Sequence, residues 1–206
     1  MSATLPAIVQ AGHPVLRAEA LPVPTEMLGT KQLHELVEVM TAVMRKAPGV
    51  GLAAPQIGVG LRLIVLEDAE TLMSRLTPED RAARGRTPFP LTAIANPVLT
   101  TLSAPGPAGR ATFFEGCLSV PGYMALVERD LEVEVTGLDE KGDPIVWRAS
   151  GWAARILQHE IDHTRGTLYI DRMIARTFAA NAEVQARWRA LPAAEVRAAL
   201  GAQSQR

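Results

Sequence analysis

The amino-acid sequence predicts an α+β fold with mixed, mainly antiparallel β-sheets packed around a central helix that carries an H-E-x-x-H motif, and with an N-terminal and a C-terminal helix. Three observations predict this fold. Strand-like segments lie in the middle of the chain, helical periodicity flanks them on both sides, and the sequence contains no internal repeat. We expect a single domain over residues 1–206, with a surface insertion at about 68–90 and a C-terminal helical tail at about 177–206.

The N-terminal half predicts one helix and two strands. Apolar side chains recur on one stripe over residues 31–46, and a proline and a glycine then follow, which predicts an amphipathic helix packed on a core. A largely buried strand is predicted over 61–66 and a second strand over 93–101. Pro97 in the second strand indicates a sheet edge or a β-bulge.

The middle of the chain predicts a surface excursion and a hairpin. Residues 68–90 are charged and rich in proline, and within them 78–84 are expected to form a short helical turn. Residues 131–138 alternate apolar and polar side chains, and the turn at 139–143 leads into a strand over 144–149. This pair of strands is predicted to form a β-hairpin.

Two further helices are predicted in the C-terminal part. Ser150 or Gly151 is expected to begin the helix that carries the H-E-x-x-H motif, and Gly166 is expected to end it. Residues 178–200 are rich in alanine and arginine and predict a second helix, interrupted or kinked near Pro192.

Composition excludes several classes of protein. The chain has 206 residues, 48% of them hydrophobic, and a formal net charge of -1, which argues against a nucleic-acid or membrane-surface protein. No apolar run approaches the roughly 18 residues of a spanning helix, and the N-terminus does not resemble a secretory signal. We therefore expect a soluble cytoplasmic protein. Its one cysteine excludes an intrachain disulfide.

The pentad His159-Glu160-Ile161-Asp162-His163 is the most informative segment. Two imidazoles four positions apart project from one face of a helix and can bind a single divalent ion. The glutamate beside the first histidine is then a candidate general base. Because such patterns also arise by chance in helices, a third ligand is needed to define a metal site.

Cys117 is the candidate third ligand. It lies in Glu115-Gly116-Cys117-Leu118-Ser119, where the glycine permits close backbone approach and the polar neighbours argue against a cysteine in a purely hydrophobic core. A thiolate and two imidazoles leave one open position on an ion such as Zn²⁺ or Fe²⁺, as hydrolases require to hold a water.

Two more segments predict binding surfaces. Trp152, Arg155 and Ile156 share the helix face of the first histidine, and Trp152 and Ile156 predict an apolar pocket wall. The alternative, which is the usual role of such residues, is that this face packs on the sheet, and both can be true. The glycine- and alanine-rich segment 49–56 leaves backbone groups uncovered for an extended peptide, and Gln56 supplies an amide donor. The alternative for this segment is a flexible connection.

Three motifs together resemble those of the peptide deformylase family, in its order and with comparable spacing. They are Gly49-Val50-Gly51-Leu52-Ala53-Ala54-Pro55-Gln56, Glu115-Gly116-Cys117-Leu118-Ser119 and Gln158-His159-Glu160-Ile161-Asp162-His163. A weaker resemblance extends from about Ile8 to about Met173. The excursion after Asp68 and the residues from Ser150 are most similar to the type 1 branch that includes organelle enzymes. Thr164 departs from the leucine that many members carry, which affects packing more than chemistry.

The resemblance implies a metal-dependent hydrolase that removes the N-formyl group from the formylmethionine of nascent polypeptides and releases formate. It implies Cys117, His159 and His163 as metal ligands, a metal-bound water as nucleophile and Glu160 as general acid/base. It also implies that Gln56 and the backbone N–H of Leu118 stabilise the developing oxyanion. The expected substrate-binding residues are Val50, Gly51, Glu115, Gly116, Trp152 and Ile156.

The same resemblance implies one divalent metal ion per chain. Fe²⁺ is expected in the cell, with Zn²⁺, Ni²⁺ or Co²⁺ as possible replacements. The expected partner is the N-formylmethionyl peptide of a nascent chain, with a transient ribosome contact and with neither direct nucleic-acid specificity nor membrane association.

Two alternative functions are compatible with the sequence. The chain could be an internal metallopeptidase that uses the same helix, as zincins do, or an inactive module that binds nascent chains or the ribosome. The second alternative rests on a weakly cationic tail that includes Arg176, Arg187 and Arg206, although such a face is usually only solvated. Arg129 is expected to pair with Asp162 and so support the metal ligands; the alternative is that Asp162 is a solvated carboxylate without a partner.

Overall fold

A computed structural model describes residues 4–74 and 76–202 of the chain. The α-helices are α1 (Lys31–Lys46), α2 (Pro78–Arg84), α3 (Gly151–Thr164), α4 (Tyr169–Arg172), α5 (Asn181–Glu183), which continues as the π-helical segment Val184–Trp188, and α6 (Ala193–Ala199). Short 3-10 helices span Pro14–Leu16, Thr25–Met27, Ala54–Ile57, Glu70–Met73, Pro107–Gly109 and Ala175–Thr177.

The strands form two sheets. They are β1 (Gly51–Ala53), β2 (Leu63–Asp68), β3 (Phe89–Thr101), β4 (Arg110–Cys117), β5 (Val120–Asp130), β6 (Glu132–Leu138), β7 (Pro144–Ser150) and β8 (Ala179–Ala180). One sheet has the order β1-β2-β3-β6-β7 and the other the order β4-β5-β8. Every pairing between these strands is antiparallel, which confirms the predicted α+β class.

The larger sheet has an apolar layer on each face. Leu63 and Val65 of β2 pack with α1, whereas Ile64 and Leu66 point the other way and pack with α3. All four side chains are fully buried. This two-sided burial explains why β2 is a continuous apolar run rather than an alternating one, and it fixes α3 against the centre of the sheet.

The first helix and the hairpin form where the sequence predicts them. Helix α1 spans Lys31–Lys46, and the hydroxyl of Thr30 caps it by accepting a hydrogen bond from the Leu33 N–H at 3.3 Å. In the β6–β7 hairpin, Glu132 pairs with Ser150 and Leu138 with Pro144. Helix α3 follows this hairpin without a linker. Its position is therefore set by the strand that leads into it.

The bulge predicted at Pro97 is present. The register of β3 against β6 shifts between Ala95 and Val98, and Asn96 has a φ of 53°. The Asn96 side chain accepts a hydrogen bond from the Val23 N–H at 2.7 Å and donates one to its carbonyl at 3.0 Å. Strand β3 lies in the middle of the sheet, so the bulge and not the edge accommodates the proline.

Other boundaries differ from the predictions. The first strand is Leu63–Asp68 and not 61–66, because Leu61 instead bridges Leu21 in parallel. Helix α2 confirms the helical turn predicted within the surface insertion. The long β4–β5 hairpin and the short β1 were not predicted as strands.

The prediction of one helix over residues 178–200 was wrong at its N-terminal end. Ala179–Ala180 pairs with β5 as strand β8. The helical segment that follows ends at Trp188, and α6 begins at Ala193, so the helix is interrupted near Pro192 as predicted. Val184 and Val196 are buried, so this segment packs on the domain. Strand pairing with β5 outweighs the helix propensity of the two alanines.

None of the helices among the described residues is both long and apolar enough to cross a membrane.

Candidate metal centre

Cys117, His159 and His163 converge at one point between the small sheet and α3. Strand β4 ends at Cys117, and α3 presents the two histidines one turn apart. One ligand atom from each of the three side chains lies within 4.8 Å of the other two. Cys117 Sγ is 3.3 Å from His163 Nε2. The structure therefore brings together the three side chains that the sequence singles out as metal ligands.

The geometry and chemistry of this group fit a divalent ion. In a tetrahedral site, bond lengths of about 2.0–2.3 Å place sulfur and nitrogen ligands about 3.5 Å apart, close to the separation of Cys117 from His163. Among the described residues, no fourth histidine, cysteine or carboxylate joins the group. Three protein ligands leave a coordination position open, which is the arrangement of catalytic rather than structural sites.

Glu115 orients His159. One of its carboxylate oxygens is 3.1 Å from His159 Nδ1, which leaves Nε2 as the ring nitrogen that can bind an ion. Arg129 donates two hydrogen bonds of 3.0 Å to the same carboxylate, and Arg155 donates one of 2.6 Å. Although burial opposes ionisation, the His159 contact and the charge of Arg129 lower the pKa of Glu115 below its usual range.

The predicted pair of Arg129 and Asp162 is confirmed. Arg129 Nη1 donates to Asp162 at 2.5 Å, and Arg172 adds two hydrogen bonds of 2.6 and 2.7 Å to the same carboxylate. Arg129 therefore links two buried carboxylates on different elements. The contribution of Arg172 was not predicted, because this residue lies beyond the end of α3 and belongs to no motif.

The electrostatics of the second histidine suit a metal ligand. Burial holds the pKa of His163 well below its usual value, so its ring is neutral and can offer a lone pair. Its Nδ1 is buried and has no hydrogen-bond partner in the structure.

Glu160 lies beside the centre in a buried position. Its side-chain atom Oε2 has no hydrogen-bond partner. Burial raises the pKa of Glu160 to about 7, and the negative charge of Glu115 reinforces this rise. A carboxyl group with a pKa near neutrality can both accept and return a proton.

The backbone of Gly51 runs directly against Glu160. A Cβ atom at Gly51 would lie 2.7 Å from both Cγ and Cδ of the glutamate, which is too short for any real contact. Glycine is therefore required here by space, because the carboxylate occupies the volume that a side chain would need.

Gln56 is held with its amide nitrogen toward the centre. Its Oε1 accepts a hydrogen bond from the Ala53 N–H at 2.9 Å, and its Nε2 is 3.3 Å from Ser119 Oγ and 3.5 Å from Cys117 Sγ. The Ser119 N–H also donates to the cysteine sulfur at 3.4 Å. Ser119 lies in the second motif and supports both Gln56 and Cys117, a role that its sequence context does not reveal.

A cleft of about 870 Å³ opens beside the centre. Every site residue predicted from the sequence lines this cleft except His163, which is almost fully buried. The carboxylate of Glu115 is turned into the protein by its arginine partners. Two further walls were not predicted from the sequence: one is formed by residues of the segment 68–90 through Asp80 and Arg84, and the other by the C-terminal segment 181–193.

Comparison with known proteins identifies the family. A model of the family described as Polypeptide deformylase matches residues 5–178. The chain is 52% identical over 174 residues to "Peptide deformylase 1A, chloroplastic" of Solanum lycopersicum, covering 84% of this chain and 61% of that protein. It is 46% identical over 171 residues to "Peptide deformylase, mitochondrial" of Homo sapiens, covering 83% and 69% of the two chains. The chain thus spans less than two thirds of the length of the plant relative.

A solved structure shares the fold. A class I type b peptide deformylase from Acinetobacter baumannii with bound Met-Ala-Ser has a TM-score of 0.71 and 31% sequence identity, covering 84% of this chain and 100% of that one. The organelle relatives agree with the branch that the sequence motifs indicate. By sequence, by fold and by the residues gathered at its metal centre, the chain belongs to the polypeptide deformylase family.

Proposed function

We propose that this chain removes the formyl group from N-formylmethionyl peptides and releases formate. The observation that carries the proposal is the convergence of Cys117, His159 and His163 next to Glu160 in a cleft large enough for a peptide. The metallopeptidase and inactive-module alternatives have less support, because the chain belongs to the deformylase family and retains each chemical group.

Cys117, His159 and His163 would hold the metal ion. Their sulfur and nitrogen donors suit Fe²⁺, Zn²⁺, Co²⁺ or Ni²⁺, and we propose Fe²⁺ in the cell. When bound, such an ion polarises a carbonyl oxygen and lowers the pKa of a water molecule.

Glu160 moves the proton in the proposed reaction. An amide is unreactive because its carbon is a weak electrophile and its nitrogen leaves poorly without a proton. The Glu160 carboxylate accepts a proton from the attacking water and then returns it to the departing nitrogen. The absence of a hydrogen-bond partner on Oε2 leaves this atom available for the transfer.

Gln56 and the backbone N–H of Leu118 stabilise the oxyanion. The Gln56 amide nitrogen is already aimed at the centre, because its oxygen is tied to the Ala53 N–H. Leu118 immediately follows Cys117, so its N–H lies at the same end of the cleft. Donors fixed before the reaction need no reorganisation when negative charge develops.

The peptide backbone would lie between two sheet edges. Strand β1 is the edge of the larger sheet and β4 is the edge of the smaller one, and both line the cleft. Gly51 and Val50 on one side, and Gly116 with the backbone of Glu115 on the other, are proposed to bind an extended peptide. The Acinetobacter baumannii protein with bound Met-Ala-Ser supports a peptide of this class.

Ile156 and Trp152 would contact the methionine side chain. They lie about one and two turns before His159 on α3, and both line the cleft. A formylated nascent chain as substrate would bring the protein into transient contact with the ribosome.

Replacing Glu160 tests the reaction directly. Glu160→Gln keeps the size of the side chain but removes its capacity to accept a proton. We expect formate release from formyl-Met-Ala-Ser, with Fe²⁺ or Ni²⁺ bound, to fall by about 10²–10⁴ in kcat/KM while metal content stays the same. Glu38→Gln, an exposed change on α1, is the matched control. Wild-type activity in the Glu160 variant would refute the proposed mechanism.

Replacing Cys117 tests the metal ligands. Cys117→Ala removes one of three donors. Loss of a residue that only hydrogen-bonds to a metal ligand typically weakens metal binding by roughly 10–100-fold, so loss of a ligand itself should weaken it by more. Metal analysis after dialysis against a chelator measures the effect. His34→Ala serves as control because His34 lies on the exposed side of α1. A cysteine variant that retains metal at full affinity contradicts the assignment.

Gly51→Ala tests the close approach to Glu160. The added methyl group must displace the carboxylate, and a displacement of about 1 Å costs on the order of 10² in rate. We expect kcat to fall with metal content unchanged. Gly60→Ala is the control, because a Cβ there meets nothing within 4 Å. Equal activity of the two variants would show that the position of Glu160 does not depend on Gly51.

A further inference from the structure

Three arginines surround the indole ring of Trp152. The guanidinium carbons of Arg84, Arg86 and Arg155 lie 5.9, 5.6 and 5.8 Å from its ring. Phe113 completes the group, with its ring centroid 6.1 Å from that of Trp152. Guanidinium groups stack favourably on aromatic faces, so together these contacts fix the orientation of the indole.

The arginines from the surface insertion are themselves held in place. Arg84 donates to Asp80 at 2.8 Å, and Arg86 donates two hydrogen bonds of 2.7 and 2.8 Å to the fully buried Asp68. Each positive charge therefore has a carboxylate partner, which offsets the repulsion between neighbouring guanidinium groups. Arg84 also stacks over Phe113, at 5.4 Å.

The end of α2 is in close backbone contact with the first residue of α3. A Cβ atom at Gly151, the first residue of α3, would lie 2.7 Å from the carbonyl oxygen of Gly85 and 2.8 Å from that of Arg84. The end of α2 therefore packs against the start of α3 with no room for a side chain. The position of Arg84 relative to Trp152 is set by this backbone contact.

Trp152 lines the cleft about one helical turn beyond Ile156, on the side away from His159. It precedes His159 by two helical turns, or about 10 Å along the axis of α3, whereas Ile156 lies about 4.5 Å from the same residue. A methionine side chain that extends from the metal centre along α3 would meet Ile156 first, and the indole would bound the pocket beyond it. Trp152 is therefore the end wall of the proposed methionine pocket.

Empty space lies next to this end wall. A second cavity, of about 250 Å³, shares Arg84, Phe113, Trp152 and Arg155 with the main cleft. If the indole were released, it could move toward this space and lengthen the pocket. The stacked guanidinium groups would oppose such a movement of the indole.

We propose that Arg84 is a positioning residue for substrate selectivity. By stacking on Trp152 and Phe113, it holds the indole as the end wall of the methionine pocket and thereby limits the length of the first side chain of the peptide. This inference rests on the proposed deformylase function and extends it, because it gives the surface insertion a part in substrate selection.

Selectivity between side chains of different length tests the proposal. The two substrates are formyl-Met-Ala-Ser and the same peptide with 2-aminoheptanoate, whose linear side chain is one atom longer, in place of methionine. One extra methylene in an apolar pocket is discriminated by about 10–200-fold. We expect Arg84→Met to lower the ratio of kcat/KM for formyl-Met-Ala-Ser to kcat/KM for the longer peptide by about tenfold or more. Arg84→Lys keeps the charge but lacks the planar group, and should give an intermediate ratio.

Arg81→Met is the matched control. Arg81 lies on the same helix but pairs with Glu70 and contacts neither ring. Arg86 is unsuitable for this test, because its removal would leave the buried carboxylate of Asp68 without its partner. Thermal unfolding shows whether each variant is folded. If Arg84→Met does not fold, Arg84→Lys decides the question.

A binding measurement gives a readout independent of turnover. Calorimetric titration with Met-Ala-Ser and with the 2-aminoheptanoyl peptide should show the same loss of discrimination in Arg84→Met. A folded Arg84 variant whose selectivity equals that of Arg81→Met in both measurements would overturn the inference. Failure of the wild-type protein to deformylate any peptide would instead refute the proposed function, and the two results are thus distinguishable.

Discussion

The buried carboxylate of Glu115 is the contact on which the metal centre depends. It accepts hydrogen bonds from Arg129 on β5 and Arg155 on α3, and it faces Nδ1 of His159. Cys117 lies two residues farther along the same strand. One carboxylate therefore joins the strand that carries the sulfur to the helix that carries the ring nitrogens.

The network of buried carboxylates and arginines contributes more to the positions of the ligand atoms than to the stability of the fold. Glu115 and Asp162 are balanced by Arg129, Arg155 and the half-exposed Arg172. Taking such charges out of water costs about as much as their attraction returns, whereas removing one partner typically costs about 3–5 kcal/mol. The network thus penalises any arrangement in which β4 and α3 separate, and this penalty keeps the three ligand atoms together.

Local patterns in the sequence predict part of the structure accurately. Helix α1, the β6–β7 hairpin and α3 follow from side-chain periodicity and from glycine and proline signals, because these act over a few residues. The proposed metal ligands and Glu160 follow from the spacing of the motifs. Arg155 could have been found as a partner of the centre, because it lies four positions before His159 on one helix face.

Features that depend on distant parts of the chain could not be predicted in this way. Strand β4 has no clear alternation, since both Phe113 and Phe114 are half-buried, and it is defined only by pairing with β5. Strand β8 exists only through its contact with β5. The sequence predicts segment 68–90 as a surface insertion and the C-terminal segment as a helical tail, and neither pattern indicates a contact with the site. Both nevertheless form walls of the cleft.

The affinity of the metal centre in a Glu115→Gln variant tests the central claim most directly. Glutamine keeps the size of the side chain but removes the charge that orients His159 and binds the two arginines. Competition with a chelator should show metal binding weaker by about 10–100-fold. Glu128→Gln, an exposed change on β5, should leave the affinity unchanged. A folded Glu115→Gln protein that binds metal as tightly as the wild type would contradict the account.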